Sequence, residues 1–394
     1  MIKKMFKHYD YTLIVSILLL CAFGLVMVYS SSMVWAVMRF GYPSDFFFKK
    51  QAVWLAVSVL AFFVTMLFPY KAYKKFMVIF LLGSIFSLLV VLILGKTSNN
   101  ATSWIEIAGF TFQPAEFVKL GLIIYLAAIY SKKQSYISHF TRGALPPLLI
   151  IGFIFGLVVI QPDLGTAMII AATSGVVILC SGMKWQHILM LLLIGGTVIS
   201  VVFFNLSDEQ LSRFTGAYNP FSDPENSGYH LINSYLAIAS GGLTGQGLGQ
   251  SIQKYGFLPE PHTDFIMAVI AEELGFFGVV FVIGLLGYIV FKGFVTGIRC
   301  KETFGSLLAI GISGMVGIQT VINLGAVTGM LPITGVTLPF ISYGGSSLLL
   351  LMISMGILVN ISTFVNMRRK QQKTAEKQTS AEEVPFISNR FSRN

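Results

Sequence analysis

The sequence predicts an all-α polytopic membrane protein: a bundle of about ten transmembrane helices with one long ordered extracellular loop between helices seven and eight. Three observations carry this. The 394 residues are 55% hydrophobic and only 11% charged, whereas a soluble domain carries about 25% charged residues. Apolar runs recur at lengths of roughly 20 residues, enough for a helix to cross a hydrocarbon core about 30 Å thick. Lysine and arginine concentrate in every second connection between those runs, as topology requires. The runs lie near 11–31, 51–69, 76–95, 114–131, 145–161, 164–182, 187–205, 264–291, 304–330 and 340–366.

The first run follows MIKKMFKHYD and could pass for a signal peptide. It is long for one, has no clear A-x-A site and is followed by further spans, so it reads as an uncleaved first helix. With the N-terminus inside, the inner segments collect Lys3, Lys4 and Lys7, then Lys71, Lys74 and Lys75, then Lys132, Lys133 and Arg142, and finally Arg299, Lys301, Arg368, Arg369 and Lys370. Both termini are therefore expected in the cytoplasm. The net charge of +10 is mainly this orientation signal; no nucleic-acid motif accompanies it, and no nucleic-acid partner is expected. Cys21, Cys180 and Cys300 all map near the inner side, form no CxxC and read as helix-packing residues.

Residues 1–366 form the membrane domain. Its outer loop, 206–263, is too long to be an incidental connection. Tyr218, Phe221, Tyr229, Tyr235, Tyr255 and Phe257 and the amphipathic YHLINSYLAIAS argue that it is ordered, and GGLTGQGLGQS must bend sharply. Residues 367–394, rich in Lys, Gln, Ser and Glu, are expected to be a disordered basic cytoplasmic tail whose RRK touches anionic membrane lipid.

The densest chemistry lies in KYGFLPEPHTDFIMAVIAEELG, 254–275, where Glu260, His262, Thr263 and Asp264 meet the start of the eighth span. An ionisable group at membrane depth is a functional-site hypothesis by default. Asp264 is either an N-cap, with Thr263, or a general base whose pKa is lowered by the helix terminus and raised by burial. The company of Glu260 and His262 favours the base.

Glu116 and Lys119, at i and i+3 in SWIEIAGFTFQPAEFVK, share a helix face and are expected to pair as a packing salt bridge. Trp104 is an interfacial anchor or a contact for sugar or lipid head group. In QPDLGTA, Gln161 and Asp163 are supporting residues, with Asp163 capping the sixth span by default. In LPITGVTLPFISYGGSS, the backbone N–H groups at Gly344 and Gly345 with Ser342, Ser346 and Ser347 suit a diphosphate; the alternative is a kink made for packing. Arg213 and Lys254 are the cations of the long outer loop, either anion ligands or solvated charges. GQGLG follows no strand and is not a dinucleotide fingerprint, there is no Walker A, and His230 and His262 lack metal-ligand spacing, so no metal site is expected.

WIEIAGFTFQPAEFVK, QPDLGTA, NPFSDPENSGYHLINSYLAIASGGLTGQGLGQS, KYGFLPEPHTDFIMAVIAEELG and LPITGVTLPFISYGGSS, in this order, closely resemble the SEDS family of bacterial cell-wall proteins. The N-terminal KHYDYTLIVSILLLCAFGLVMVYSSSM with FFFKKQ resembles its division-type members more than its elongation or sporulation types. The resemblance implies a peptidoglycan glycosyltransferase that polymerises lipid II, the undecaprenyl-diphosphate-linked disaccharide peptide, at the outer face of the bacterial cytoplasmic membrane, with a place at the division septum. It implies that Asp264 is essential, and it implies partners: a class B penicillin-binding protein transpeptidase and other divisome membrane proteins. No cofactor is required by the sequence, although Mg²⁺ or Mn²⁺ could take part. Two positions depart from the family: Ser103 stands where Arg is frequent, which weakens phosphate binding by that loop, and Ala115 where Ser is frequent. The rival readings are a lipid II flippase, which would place polar groups through the midplane, and a non-catalytic divisome scaffold.

Overall fold

The computed structural model describes residues 5–98, 101–107, 110–205 and 207–382. Seven long helices come first: α1 (Tyr11–Phe40), α2 (Phe46–Leu67), α3 (Met77–Leu94), α4 (Pro114–Lys132), α5 (Leu145–Ile160), α6 (Leu164–Leu179) and α7 (Trp185–Phe204). Two shorter helices, α8 (Asp208–Tyr218) and α9 (Tyr229–Gly241), occupy the long outer connection. Then come α10 (Ile266–Arg299), α11 (Thr303–Val327) and α12 (Gly345–Glu382). Each of the ten expected spans is a helix. Among the described residues nine have the length and apolarity to cross a membrane. The tenth, α6, has 16 residues, about 24 Å at the helical rise; it can be short because its Asp163 end opens onto a polar cavity.

The ends are fixed by local chemistry. Asp10 accepts a hydrogen bond from the Leu13 N–H at 3.3 Å, capping α1, and pairs with Lys292 Nζ at 3.0 Å, which ties the start of α1 to α10. Pro114 opens α4, where its missing N–H costs nothing. At the centre stand α4, α11 and α12, with 83%, 78% and 78% of their apolar windows buried; α7, at 6%, lies at the periphery.

α10 is broken at Gly275, whose φ of 63° takes the chain out of the helical region. The glycine-rich string after α9 inserts into that break: the Gln246 and Gly247 N–H groups donate to the Glu272 and Glu273 carbonyls at 2.9 and 3.0 Å. Backbone approaches backbone so closely that a Cβ on Gly241 would sit 1.8 Å from the Ala271 carbonyl oxygen.

Three features differ from expectation. Within the outer segment 96–113 there is a three-stranded antiparallel sheet, β1 (Lys96–Ser98), β2 (Ala101–Ile107) and β3 (Phe110–Phe112), with Ile105 opposite Phe112; its Thr, Trp, Ile and Phe residues suit a pleated surface. The last helix begins at Gly345 rather than near 340, since 331–344 is irregular around Pro332 and Pro339. The tail expected to be disordered from Met367 is helical to Glu382. Its Arg, Lys, Gln, Ala and Glu are good helix formers, and lengthening an existing helix needs no new nucleus. Residues 383–394 of that tail lie outside the described residues.

Candidate active site

α4, α6, α10 and α12 all begin around one cavity of about 1000 Å³. Their positive dipole ends, and the N–H groups that a first helical turn leaves unpaired, therefore converge on it. Its walls bring together most of the residues singled out in the sequence: Trp104, Glu116, Lys119, Asp163, Arg213, Glu260, His262, Thr263, Asp264, Gly344, Gly345, Ser346 and Ser347 all line it.

The turn that carries Asp264 is held from one side. The carbonyls of three successive residues each accept a hydrogen bond from the 323–343 region. Tyr343 N–H donates to His262 at 2.8 Å, Ser342 Oγ to Thr263 at 2.6 Å, and Asn323 Nδ2 to Asp264 at 2.8 Å. At roughly 1 kcal/mol each, these bonds fix the backbone while leaving the Asp264 side chain free to point inward. Glu260 closes the turn with φ 49°, a conformation rare for a residue with a Cβ. Its carbonyl accepts from the Thr263 and Phe265 N–H groups at 3.2 and 3.4 Å, and its carboxylate from Thr263 Oγ1 at 3.0 Å.

Asp264 is not an N-cap. Phe265 occupies that position and no side chain caps the helix. Among the described residues no hydrogen-bond donor reaches the Asp264 carboxylate, and Asp264 lines the cavity. Burial is the largest influence on it and the neighbouring Glu260 carboxylate the second. Together they outweigh the Arg213 guanidinium and push its pKa up to about 7. His262 packs in a three-ring cluster with Phe47 and Tyr343, with ring centroids 4.5 and 5.6 Å away, and its buried Nδ1 has no partner among the described residues. Desolvation depresses its pKa to about 4, so it is neutral at physiological pH and forms a wall.

Also on the lining, Glu116 and Lys119 pair at 2.8 Å, both buried, and Lys119 Nζ donates to Gln319 Oε1 at 3.4 Å. Asp163 caps α6 through the Thr166 N–H at 2.9 Å and accepts from Gln113 Nε2 at 3.2 Å; the Gln113 N–H in turn donates to Ser346 Oγ at 3.3 Å. Gln161 lies outside the cavity and donates to the Leu88 carbonyl at 3.0 Å, a packing role.

Two expected substrate contacts lie elsewhere. Lys254 is fully buried, does not line the cavity, and pairs with Glu273 Oε1 at 2.7 Å while reaching Ser30 Oγ at 3.2 Å. A cation without water must find an acid, and this one closes a clamp between the outer loop, α10 and α1. Next to it, Glu272 accepts from Ser251 Oγ at 2.5 Å and from the Ile252 N–H at 2.8 Å. Ser342 is likewise absent from the lining: its hydroxyl accepts from the Leu338 N–H at 2.8 Å while donating to Thr263, so it is a staple.

Other residues belong to the site without having been singled out. Arg39, packed over Trp35 at 4.8 Å, joins Lys119 and Arg213 as the cations lining the cavity among the described residues. Trp54 and His230 also line it. Gln319 and Asn323 stand four residues apart on the apolar α11. Gln319 Nε2 donates to the Thr337 carbonyl at 3.1 Å, and Asn323 Nδ2 to the Val336 carbonyl at 2.8 Å. Two amides on one face of a membrane helix were a readable signal; Arg39, in the last helical turn of α1, gave none.

Residues 11–367 match the FtsW/RodA/SpoVE family, described as cell cycle protein. The chain is 54% identical over 383 residues to the probable peptidoglycan glycosyltransferase FtsW of Bacillus subtilis, covering 95% of each chain. It is 41% identical over 362 residues to stage V sporulation protein E of the same organism, covering 90% of this chain and 97% of that one. Among solved structures it is similar to a chain from a peptidoglycan synthase complex that coordinates polymerization and crosslinking: TM-score 0.73, 28% identity, 91% of this chain and 98% of that one. It is also similar to the rod shape determining protein RodA of Thermus thermophilus, with TM-score 0.67, 28% identity and coverage of 90% and 96%.

Proposed function

The chain belongs to the FtsW/RodA/SpoVE family of cell cycle proteins, and from that premise we propose that Asp264 is the general base of its glycosyl transfer and lipid II its substrate. The chain is a membrane-embedded peptidoglycan glycosyltransferase acting in cell division. In the proposed reaction the growing glycan sits on undecaprenyl diphosphate and the incoming lipid II offers its 4-hydroxyl. Asp264 takes the hydroxyl proton as the oxygen attacks the anomeric carbon. The bond from that carbon to the diphosphate breaks, and the diphosphate leaves with the electron pair. The α linkage of the donor becomes β-1,4 in one displacement, so a single carboxylate suffices and no covalent intermediate is needed.

The observation that carries the reading is the Asp264 carboxylate, placed on the cavity lining, without a hydrogen-bond donor among the described residues, and poised near neutral pH by burial and Glu260. A base must be ionised in use yet able to hold a proton, and a pKa near the working pH serves both ends. Arg39, Arg213 and the converging helix N-termini suit the leaving diphosphate. Trp35, Trp54 and Trp104 suit sugar rings and the first isoprene units. His262 and Thr263 shape the cavity beside the base, and Gly344, Gly345, Ser346 and Ser347 offer N–H and hydroxyl groups to phosphate. Mg²⁺ or Mn²⁺, where it takes part, would arrive on the diphosphate.

The same reading sets the cavity on the outer face of the cytoplasmic membrane, at the septum, with both termini inside, and expects a class B penicillin-binding protein transpeptidase as partner within a larger divisome assembly. The similarity to a polymerizing and crosslinking synthase complex supports that partner. The test is polymerisation of purified lipid II by the full chain, alone and with a transpeptidase-dead partner, comparing wild type with Asp264→Asn. Glycan strands from wild type and none from a folded variant are expected. Undiminished polymer from the variant would remove Asp264 as base. If wild type makes no polymer yet moves lipid II across vesicles, the protein is a flippase.

A further inference from the structure

A second cavity, of about 320 Å³, lies at the far ends of α10 and α12 from Asp264 and Gly345, where those helices leave the bundle. Four cations line it: Arg299 from the last turn of α10, Lys301 from the connection that follows, and Arg368 and Arg369 from α12. Its floor is aromatic. Tyr70 meets Phe364 edge-on at 5.5 Å and stacks on Phe304 at 6.4 Å.

What sets these four apart from other cations at that end of the bundle is that they share one hollow and have no ion pair of their own among the described residues. Lys71 pairs with Glu302 at 3.0 Å and Lys292 with Asp10 at 3.0 Å. Among the described residues no carboxylate forms an ion pair with Arg299, Lys301, Arg368 or Arg369. Glu302 is held directly by Lys71 and by the Tyr70 hydroxyl at 2.8 Å, and Arg368 acts on it only through space. Four like charges drawn into one concavity repel one another, and a bound anion offsets that cost. A topology signal alone requires cations on the loops; it does not require them to converge on one hollow from two stretches of chain far apart in sequence.

We propose that this cavity is a site for the phosphate group of an anionic phospholipid. The guanidinium groups match phosphate oxygens in bidentate geometry. The aromatic floor takes the glycerol and upper acyl carbons, and the place, between helices at the polar edge of the bundle, is where basic pockets capture acidic head groups. A free phosphate or diphosphate shares the first part of this chemistry but not the second.

The test uses the full chain in mixed micelles, reading bound lipid by native mass spectrometry and thermal unfolding in parallel. The probes are phosphatidylglycerol and cardiolipin, phosphatidylcholine as the zwitterionic control, and inorganic diphosphate as the soluble anion. The variants are Arg299→Gln with Arg368→Gln, and Lys132→Gln with Lys184→Gln as a control pair. Wild type should retain and be stabilised by the anionic lipids in preference to phosphatidylcholine. Each arginine removed should weaken this about fivefold, and both on the order of 25-fold. The control pair should bind as wild type does, and both variants should unfold as wild type does in phosphatidylcholine, since Arg299 and Arg368 are exposed. Equal retention by wild type and the arginine pair would overturn the proposal. So would stabilisation by inorganic diphosphate with no preference for anionic lipid, which would make the site one for a soluble anion.

Discussion

Asp264→Asn should abolish polymerisation and at the same time stabilise the protein. The amide has the shape of the carboxylate but no charge to desolvate. Asp264 has its pKa raised from 3.8 to about 7, and every tenfold change in an acid constant corresponds to about 1.4 kcal/mol. The sign follows from linkage: with the folded pKa above the unfolded one, the fold prefers the protonated acid. Well below pH 4 the carboxyl is neutral in both states and contributes nothing. As pH rises from about 4 to 7 the unfolded chain ionises while the folded one resists, and stability falls by up to ~4 kcal/mol. Cavity water screens part of this, which makes the figure a ceiling. The assay is unfolding of wild type and variant in the same detergent from pH 4 to 9. The variant should match wild type at the acid end and exceed it increasingly toward neutrality, levelling off above pH 7. A variant that is destabilised, or a difference that does not change with pH, would refute the idea that an ionised, desolvated carboxylate is held at the cavity.

Other consequences follow from named contacts. The Arg213 guanidinium pulls the Asp264 pKa down, so Arg213→Gln should move the acid limb of the pH–rate profile to higher pH as well as raise KM, which a pH series of polymerisation rates would show. Glu273→Gln strands Lys254 in a fully buried site and should cost about 3–5 kcal/mol, whereas Lys254→Met combined with Glu273→Leu should recover most of it; denaturation of the single and double variants beside wild type checks this. Asn323→Ala removes the donor to the Asp264 and Val336 carbonyls and should cost about 1–3 kcal/mol, with kcat falling more than KM rises because the base, not the binding surface, is displaced; thermal unfolding and steady-state polymerisation kinetics read the two effects.

The bundle was legible because a span announces itself by length and apolarity alone, and the ten runs needed no knowledge of their neighbours. The turn at Asp264 was legible for a related reason: carboxylates and a histidine at the mouth of an apolar helix are too costly there to be incidental. What the chain kept hidden were partners distant in sequence. Lys254 looks like a loop cation until Glu273 and Ser30, the latter 224 positions away, are brought to it. Ser342 looks like a phosphate ligand until the Thr263 carbonyl, 79 positions away, claims its proton. Arg39 ends α1 like any helix-terminal cation and gains meaning only from the cavity it lines. The strands in 96–113 and the helix through Glu382 were missed for a different reason: short or polar segments carry weak local signals, and neighbouring structure decides them.

Asp264 as a base tuned by burial and by Glu260 is a claim with two halves, and one measurement addresses both. Single-turnover polymerisation of lipid II should be followed from pH 5 to 9 for wild type and Glu260→Gln. Wild type should lose rate below a pKa near 7, with a slope of one, and Glu260→Gln should shift that limb to lower pH, because the neighbouring negative charge that raises Asp264 is gone. An acid limb that does not move, or a rate independent of pH across the range, would contradict that role.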